Sequence, residues 1–276
     1  MQPGEPLGER YRLVEALGRG ASGEVWSAID STGARFVIKC LRSTVEPELE
    51  KRFERELAVA RQLGPPYFPR LIDGRSGPEG PRYIVWAAEQ GSALADLALD
   101  ADRAASRVLR RLLPVAELLR ALSRLHALGI VHRDLKPEHV LVKPDGSVVL
   151  LDLGLCRVSD SLRLTASRHI LGSAAFVAPE QIQAPQNVDQ RADLYAVGAI
   201  AFWLLSGRLP FAAPTAESLL VLKLMRQAPL LNDVCEVPVP AAVEEWVAMM
   251  LAREPTGRPA SASAAGEKLE HALGGD

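Results

Sequence analysis

Two polar motifs, each following an apolar stretch, constrain this chain more than any other feature. HRDLKPEH spans residues 132–139 and LDLG spans residues 151–154. Asp134 comes shortly after the strand-like GIVH, and Asp152 comes directly after VVLL. A carboxylate in a cleft can orient a hydroxyl and take its proton, and one at the end of a buried strand suits magnesium. Lys136 can neutralise charge on a transferring phosphoryl group. Either aspartate alone could cap a turn, so the order and spacing of several motifs must decide.

Composition limits the classes of function. The chain has 276 residues, of which 48% are hydrophobic and 24% are charged, as in an ordinary soluble globular protein. This length suits one large domain or two modest lobes around a cleft. The formal net charge of −2 gives no excess of positive charge that would indicate binding to nucleic acid or to an anionic membrane. We therefore expect no nucleic-acid partner, and the sequence leaves the oligomeric state open.

No targeting or membrane segment is predicted. The N-terminal MQPGEPLGER lacks a basic region followed by an apolar one. The longest apolar run, residues 197–205, is far shorter than the ~20 residues that span a bilayer. Cys40, Cys156 and Cys235 contain no Cys-x-x-Cys pair, which indicates neither a disulfide framework nor a zinc site. We expect a cytoplasmic protein in a reducing compartment, without a membrane segment.

The first part of the chain is predicted to be rich in strands. Short β-branched or aromatic stretches separated by turns occur at residues 11–17, 24–28, 35–40, 70–73 and 82–86. Between the third and fourth of these the period changes. Leu49, Phe53, Leu57 and Ala60 recur at steps of three and four, which predicts an amphipathic helix beginning near Pro47.

After a connector at residues 87–91 the chain is predicted to be mainly helical. Residues 140–142 and 148–151 flank the turn KPDG and predict a small hairpin. A stripe of leucines at helical spacing is formed by Leu109, Leu112, Leu113, Leu118, Leu119, Leu122 and Leu125. We predict an α+β fold, with a small antiparallel β-sheet lobe carrying one helix at residues 1–86 and a larger, mainly α-helical lobe at residues 92–276.

A glycine motif lies between the first two predicted strands. Gly18, Gly20 and Gly23, followed by Val25, would let the backbone approach a triphosphate closely with its amide donors pointing inward. An ordinary glycine hairpin or a dinucleotide-binding fold uses similar glycines. A dinucleotide-binding fold needs a helix after the third glycine, whereas EVWSAI predicts a strand.

Lys39 ends the predicted strand FVIK, from which it could reach phosphates as a point charge. A solvated surface lysine is the alternative for any single Lys. Glu56 on the following helix could supply the carboxylate that a buried lysine needs. Glu54 is the competitor, but Glu56 lies beside the buried stripe of Phe53 and Leu57.

Together these motifs resemble a Hanks-type (eukaryotic-like) bacterial serine/threonine protein kinase catalytic domain over essentially the whole chain. LGRGASGEV resembles the glycine-rich loop, FVIK the lysine strand, HRDLKP the catalytic loop and DLG the metal-binding triplet. APE occurs at residues 178–180, and Asp193 stands where the family has an aspartate that braces the catalytic loop. Arg258 stands where the family pairs an arginine with the APE glutamate, and Lys136 is the serine/threonine form.

The resemblance implies a bilobal kinase fold with an ATP cleft between the lobes. It implies transfer of the γ-phosphate of ATP to Ser/Thr hydroxyls of protein substrates, including autophosphorylation of the activation loop. The catalytic residues that it implies are Asp134, Lys136, Lys39 and Glu56. The metal ligands are Asp152 and His139, with Mg²⁺ or Mn²⁺ as the ion. The implied nucleotide-binding residues are Leu17, Gly18, Gly20, Gly23, Val25, Val37, Lys39, Trp86, Ala88 and Leu141.

His139 is the main departure from the family, because the pattern H-R-D-x-x-x-x-N has Asn there. Neutral imidazole is a softer ligand that suits zinc or manganese better than magnesium, and protonated imidazole repels a metal. Three outcomes stay open: a kinase with altered metal preference, a slow kinase, or a pseudokinase that binds nucleotide or a protein partner. Small-molecule phosphotransfer is less favoured, because such enzymes usually lack the APE segment and its arginine.

Three further positions depart from the family pattern. Leu153 keeps an apolar side chain where the family has Phe, whereas Val37 and Trp86 predict a tight adenine pocket.

Residues 155–173 resemble the activation loop, and Arg133 and Arg157 could bind a phosphate there. We expect Thr165 to be the main phosphorylation site, with the other candidate hydroxyls on Ser159, Ser161 and Ser167.

Overall fold

The computed structural model describes residues 1–19, 23–42, 46–77, 80–97, 109–152 and 174–274. The chain divides into two compact units, Met1–Gln90 and Gly91–Asp276. Within the described residues, no helix combines the length and the apolar character needed to cross a bilayer.

The first unit is built on a six-stranded antiparallel sheet whose strand order is β1-β2-β3-β4-β6-β5. Its strands are β1 (Pro6–Leu7), β2 (Tyr11–Arg19), β3 (Gly23–Ile29), β4 (Arg35–Leu41), β5 (Leu71–Arg75) and β6 (Tyr83–Ala87). Strands β2 to β6 match the five predicted stretches within a few residues. Strand β1 has only two residues, which is too short for an alternating pattern to reveal it.

Both faces of this sheet carry buried apolar side chains. One face carries an apolar cluster that includes Tyr11, Trp26, Phe36 and Ile38. The opposite face packs against helix α1 (Pro47–Ala60), where Phe53 and Leu57 contact Leu41 and Ile84. Because side chains alternate along β4, Lys39 projects on the same face as Leu41. The sequence of β4 therefore points Lys39 to the side of the sheet on which α1 lies.

The second unit contains a small antiparallel sheet and a helical core. The sheet has the order β7-β8-β9 and comprises β7 (Ser92–Ala93), β8 (Val140–Val142) and β9 (Val148–Leu150). The helices are α2 (Leu94–Leu97), α3 (Leu113–Ala127), α4 (Pro179–Gln183), α5 (Arg191–Ser206), α6 (Ala216–Met225), α7 (Ala241–Met250) and α8 (Ala262–Gly274). Helix α5 is buried along almost its whole length, and α3 and α7 each pack against it and against α8.

The predicted leucine stripe is wrong at Leu113, whose side chain is 56% exposed. Helix α3 begins at Leu113 with Pro114 in its first turn. Leu112 is buried next to it, and one step of about 100° turns Leu113 away from the core. Leu113 shares its face with Arg120 and Arg124, which are also exposed.

Candidate active site

Lys39 of the first unit forms an ion pair with Glu56. Its Nζ donates hydrogen bonds to Glu56 Oε1 at 2.8 Å and to Oε2 at 2.6 Å. Both side chains are largely buried, with exposed fractions of 20% and 12%. Glu54, the competing carboxylate, is exposed. The periodicity of α1 explains the choice, because Glu56 lies beside Phe53 and Leu57 on the face that packs against the sheet.

Several of the proposed nucleotide-binding residues share the sheet face of Lys39. Val25 pairs directly with Lys39 across β3 and β4, and Val37 pairs with Trp86 across β4 and β6. Directly paired residues of antiparallel strands project on the same face. Leu17 and Ala88 are exposed and lie on β2 and after β6.

Gly23 has a packing reason to be glycine. A Cβ atom at this position would overlap the carbonyl oxygen of Cys40 on the neighbouring strand β4. Gly18 differs, because a Cβ atom there would meet nothing within 4 Å. Gly20 lies outside the described residues.

In the second unit, the backbone that precedes Asp134 is held from two sides. The amide nitrogens of His132 and Arg133 donate to the Asp193 carboxylate on α5, each at 2.8 Å. On the other side, the Gln181 side chain donates from Nε2 to the Arg133 carbonyl oxygen at 2.8 Å. These bonds hold Arg133 at a positive φ of 68°, a conformation that non-glycine residues adopt at a cost.

The side chains of Asp134 and Lys136, which follow Arg133 in the chain, lie close to each other. Lys136 Nζ is 3.7 Å from Asp134 Oδ2. Burial raises the pKa of the Asp134 carboxyl, and the nearby Lys136 ammonium opposes that rise. A carboxylate with a raised pKa is a better proton acceptor while it is ionised. The pair thus joins a base with a positive charge, as phosphoryl transfer to a hydroxyl requires.

His139 lies between Asp134 and Asp152. Its Nδ1 is 3.0 Å from the Asp134 carbonyl oxygen, and its Nε2 is 3.8 Å from Asp152 Oδ2. Burial lowers the pKa of His139, which favours the neutral ring. Asp152 follows β9 with a positive φ of 50°, and its side chain is half exposed.

The donor set at this point suits a divalent cation. A neutral imidazole nitrogen and a carboxylate oxygen are both common ligands of such ions. No group of three or more His, Cys, Asp or Glu side chains that could hold a metal occurs in the part of the chain that the structure describes. A cation here would therefore depend on further ligands, such as phosphate oxygens.

Arg258 joins Glu180 to the core of the second unit. Its Nη1 and Nη2 donate to Glu180 Oε1 at 2.6 Å and Oε2 at 2.9 Å. The guanidinium also lies 4.9 Å from the centre of the Tyr195 ring. This is the pairing that the APE motif implies.

Sequence reasoning missed two side chains that support the site. Gln181 connects the APE segment with Arg133, and His126 Nε2 lies 2.8 Å from Asp193 Oδ2. Neither residue belongs to a motif that the sequence analysis used. Leu153, Cys156, Arg157 and the candidate phosphorylation sites Ser159, Ser161, Thr165 and Ser167 all lie outside the described residues.

Comparisons with known proteins identify the family of this chain. The Protein kinase domain family model matches residues 11–271. Serine/threonine-protein kinase Pkn1 of Myxococcus xanthus is 36% identical over 271 residues, which are 95% of this chain and 38% of that protein. Serine/threonine-protein kinase PknA of Mycobacterium tuberculosis is 30% identical, with 92% and 59% covered. The chain thus spans less than two thirds of the length of each of these two relatives.

A solved structure gives the same result for the fold. The Mycobacterium tuberculosis PknI kinase domain superposes with a TM-score of 0.70 at 25% identity, and 99% of each chain is covered. The chain belongs to the protein kinase family. The predicted resemblance to bacterial serine/threonine kinases and the predicted α+β kinase fold are confirmed. Membership of this family implies the use of ATP with a divalent metal.

Proposed function

We propose that this chain transfers the γ-phosphate of ATP to serine or threonine hydroxyls of proteins. The observation that carries the proposal is the Asp134–Lys136 pair, 3.7 Å apart, on a backbone that Asp193 fixes. The relatives named serine/threonine kinases support the same reaction. Autophosphorylation, with Thr165 as the main site, stays a prediction, and so does a cytoplasmic location.

In the proposed reaction, Asp134 orients the substrate hydroxyl and accepts its proton. The hydroxyl oxygen bonds to the γ-phosphorus, the bond from that phosphorus to the bridging oxygen breaks, and ADP leaves. Lys136 offsets the negative charge on the transferring group. Lys39, held by Glu56, binds the phosphates of ATP as a point charge. The residues proposed to bind the nucleotide, together with Lys39, are Leu17, Gly18, Gly20, Gly23, Val25, Val37, Trp86, Ala88 and Leu141.

Asp152 and His139 are proposed to hold the divalent cation. When bound, such an ion neutralises phosphate charge. Mg²⁺ and Mn²⁺ are both proposed, because Asp152 supplies a hard oxygen and His139 a softer nitrogen.

Phosphate transfer from labelled ATP to the protein itself and to a generic protein substrate tests the proposal. Wild type is compared with Asp134→Asn, in Mg²⁺ and separately in Mn²⁺. We expect transfer by wild type in at least one of these ions, and a loss on the order of a hundredfold or more in the variant. Equal activity of the two proteins in both ions would refute the proposal. Stabilisation by ATP without turnover would identify a pseudokinase instead.

A further inference from the structure

Lys223 is a fully buried lysine on helix α6, with an exposed fraction of only 1%. Its Nζ donates hydrogen bonds to the carbonyl oxygens of Ala175 at 2.6 Å and Val177 at 2.7 Å. The ammonium also lies 5.1 Å from the centre of the Tyr195 ring. Lysine is almost never fully buried without a partner, so this position calls for a physical reason.

The surroundings of Lys223 offer dipoles and an aromatic ring in place of an opposite charge. Among the described residues, no carboxylate forms an ion pair with it. Arg258 also lies against the Tyr195 ring, but its charge is paired with Glu180. Burial accordingly lowers the pKa of Lys223 to about 7. Hydrogen bonds to the two carbonyl oxygens therefore offset most of the free energy that is lost when this amine is removed from water.

The two carbonyl oxygens belong to the segment that leads into α4. Directly after them, the Ala178 amide donates to Gln181 Oε1 at 2.9 Å. Gln181 is itself buried and donates from Nε2 to the Arg133 carbonyl oxygen at 2.8 Å. A continuous series of hydrogen bonds thus runs from Lys223 to the residue before Asp134.

We propose that Lys223 is a positioning residue, which holds residues 174–178 so that Gln181 fixes the backbone beside Asp134. This inference rests on the proposed kinase function. A lysine serves this purpose because a long stem with a donor at its tip can reach both carbonyl oxygens from α6. An apolar side chain of similar length would fill the same space but would remove the donor from both carbonyl oxygens, at a cost to local order.

The test uses four variants of the whole chain and one control variant. Lys223→Met removes the donors but keeps the approximate volume, and Lys223→Gln keeps an amide donor on a shorter stem. Gln181→Ala breaks the next link, and the double variant Lys223→Met/Gln181→Ala completes a thermodynamic cycle. Lys268→Met is the control, because it makes the same chemical change at an exposed lysine of α8.

Hydrogen exchange is the first readout. In Lys223→Met we expect faster exchange in peptides that cover residues 131–136 and 174–184, with smaller changes in Lys223→Gln and none in Lys268→Met. Unchanged exchange near Arg133 in Lys223→Met would overturn the proposal. If Lys223→Met does not fold, Lys223→Gln supports the same comparison.

The second readout is kinetic. We expect kcat to fall by about tenfold to a hundredfold in Lys223→Met, since small displacements of catalytic groups cost this much, with little change in KM for ATP. The kcat of the double variant should be no lower than that of the more impaired single variant. If the fold-reductions in kcat of the two single variants multiply in the double variant, the two residues act independently and the proposal is contradicted. Because hydrogen exchange needs no turnover, an inactive wild type would refute the kinase function while the exchange data still decide whether Lys223 holds this backbone.

Discussion

His139 contacts the carbonyl oxygen of Asp134 through Nδ1, at 3.0 Å. A carbonyl oxygen only accepts hydrogen bonds, so Nδ1 carries the proton and the neutral ring has its lone pair on Nε2. That nitrogen lies 3.8 Å from Asp152 Oδ2. The bond to Asp134 therefore fixes both the orientation and the tautomer of the ring, as partners of metal-binding histidines commonly do.

This arrangement predicts a shift in metal preference. We expect His139→Asn to weaken Mn²⁺ binding relative to Mg²⁺ by about tenfold, because Mg²⁺ prefers hard oxygen ligands and an imidazole nitrogen is softer than the amide oxygen that replaces it. Mn²⁺ binding in the presence of a non-hydrolysable ATP analogue, followed by electron paramagnetic resonance and by competition with Mg²⁺, measures the ratio. The exposed His271→Asn is the control. An unchanged ratio in His139→Asn would exclude His139 as a ligand.

The Lys39–Glu56 pair predicts a loss that depends on charge. Glu56→Gln keeps the shape of the side chain but removes the Glu56 carboxylate charge from beside the largely buried Lys39. A hydrogen bond to a charged group contributes roughly 1.5–3 kcal/mol, so we expect kcat/KM for ATP to fall at least about tenfold. Steady-state kinetics with varied ATP measures this loss.

Glu50→Gln provides a matched control on the same helix. Glu50 Oε1 pairs with Arg82 Nη2 at 2.7 Å, and the Glu50 side chain is 33% exposed. Ion pairs nearer the surface contribute only about 0–1 kcal/mol. Similar kinetic losses in the two variants would mean that Glu56 acts through the stability of α1 and not through Lys39.

The sequence predicted the parts of this site that depend on local patterns. The period of α1 was enough to select Glu56 over Glu54, because Phe53 and Leu57 mark the buried face of the helix. The hairpin of β8 and β9, and hence the position of Asp152, followed from two apolar stretches around KPDG. The prediction from helical spacing was wrong at Leu113, which is exposed. Seven leucines were assigned to one stripe, and a stripe of that width does not fit on a single buried face of a helix.

The supporting contacts could not be predicted in this way. Lys223 and Ala175 are 48 residues apart in the chain, and so are Gln181 and Arg133. No periodic pattern records a contact between a side chain and a distant carbonyl oxygen. A lysine in the apolar sequence LLVLKLM was the available signal, since a charged residue on the buried face of a helix needs a partner.

Lys223 also predicts how stability changes with pH. Its pKa is lowered from 10.5 to about 7 in the folded protein. Between these values the unfolded chain binds more protons than the folded one, so stability rises with pH; below about pH 7 both states are protonated and the contribution is flat. We expect the free energy of unfolding of wild type to gain about 2 kcal/mol relative to Lys223→Met between pH 7 and pH 9.

Urea unfolding at pH 7, 8 and 9 measures this difference. Comparison with Lys223→Met cancels the other titrating groups, including the buried Cys40 thiol, whose pKa is raised to about 12. Lys268→Met should follow the wild-type curve at every pH. Parallel curves for wild type and Lys223→Met would show that the amine titrates normally in the folded protein.

The two glycines Gly18 and Gly23 belong to one motif but should respond differently to substitution. A Cβ atom at Gly23 would overlap the Cys40 carbonyl oxygen, so Gly23→Ala must push β3 and β4 apart. Overpacking of this kind costs about 1–3 kcal/mol. We expect a lower free energy of unfolding and faster hydrogen exchange in β3 and β4, and weaker ATP binding because Lys39 lies on β4.

Gly18→Ala is the matched control, because its Cβ atom would meet no other atom within 4 Å. A compatible Gly→Ala change also restricts the unfolded chain, which stabilises a protein by about 0.4–1 kcal/mol. Its free energy of unfolding should therefore equal or exceed that of wild type. Urea unfolding separates the two variants. Equal destabilisation by both would mean that the motif tolerates no side chain at either position, and that the contact with Cys40 does not explain why residue 23 is glycine.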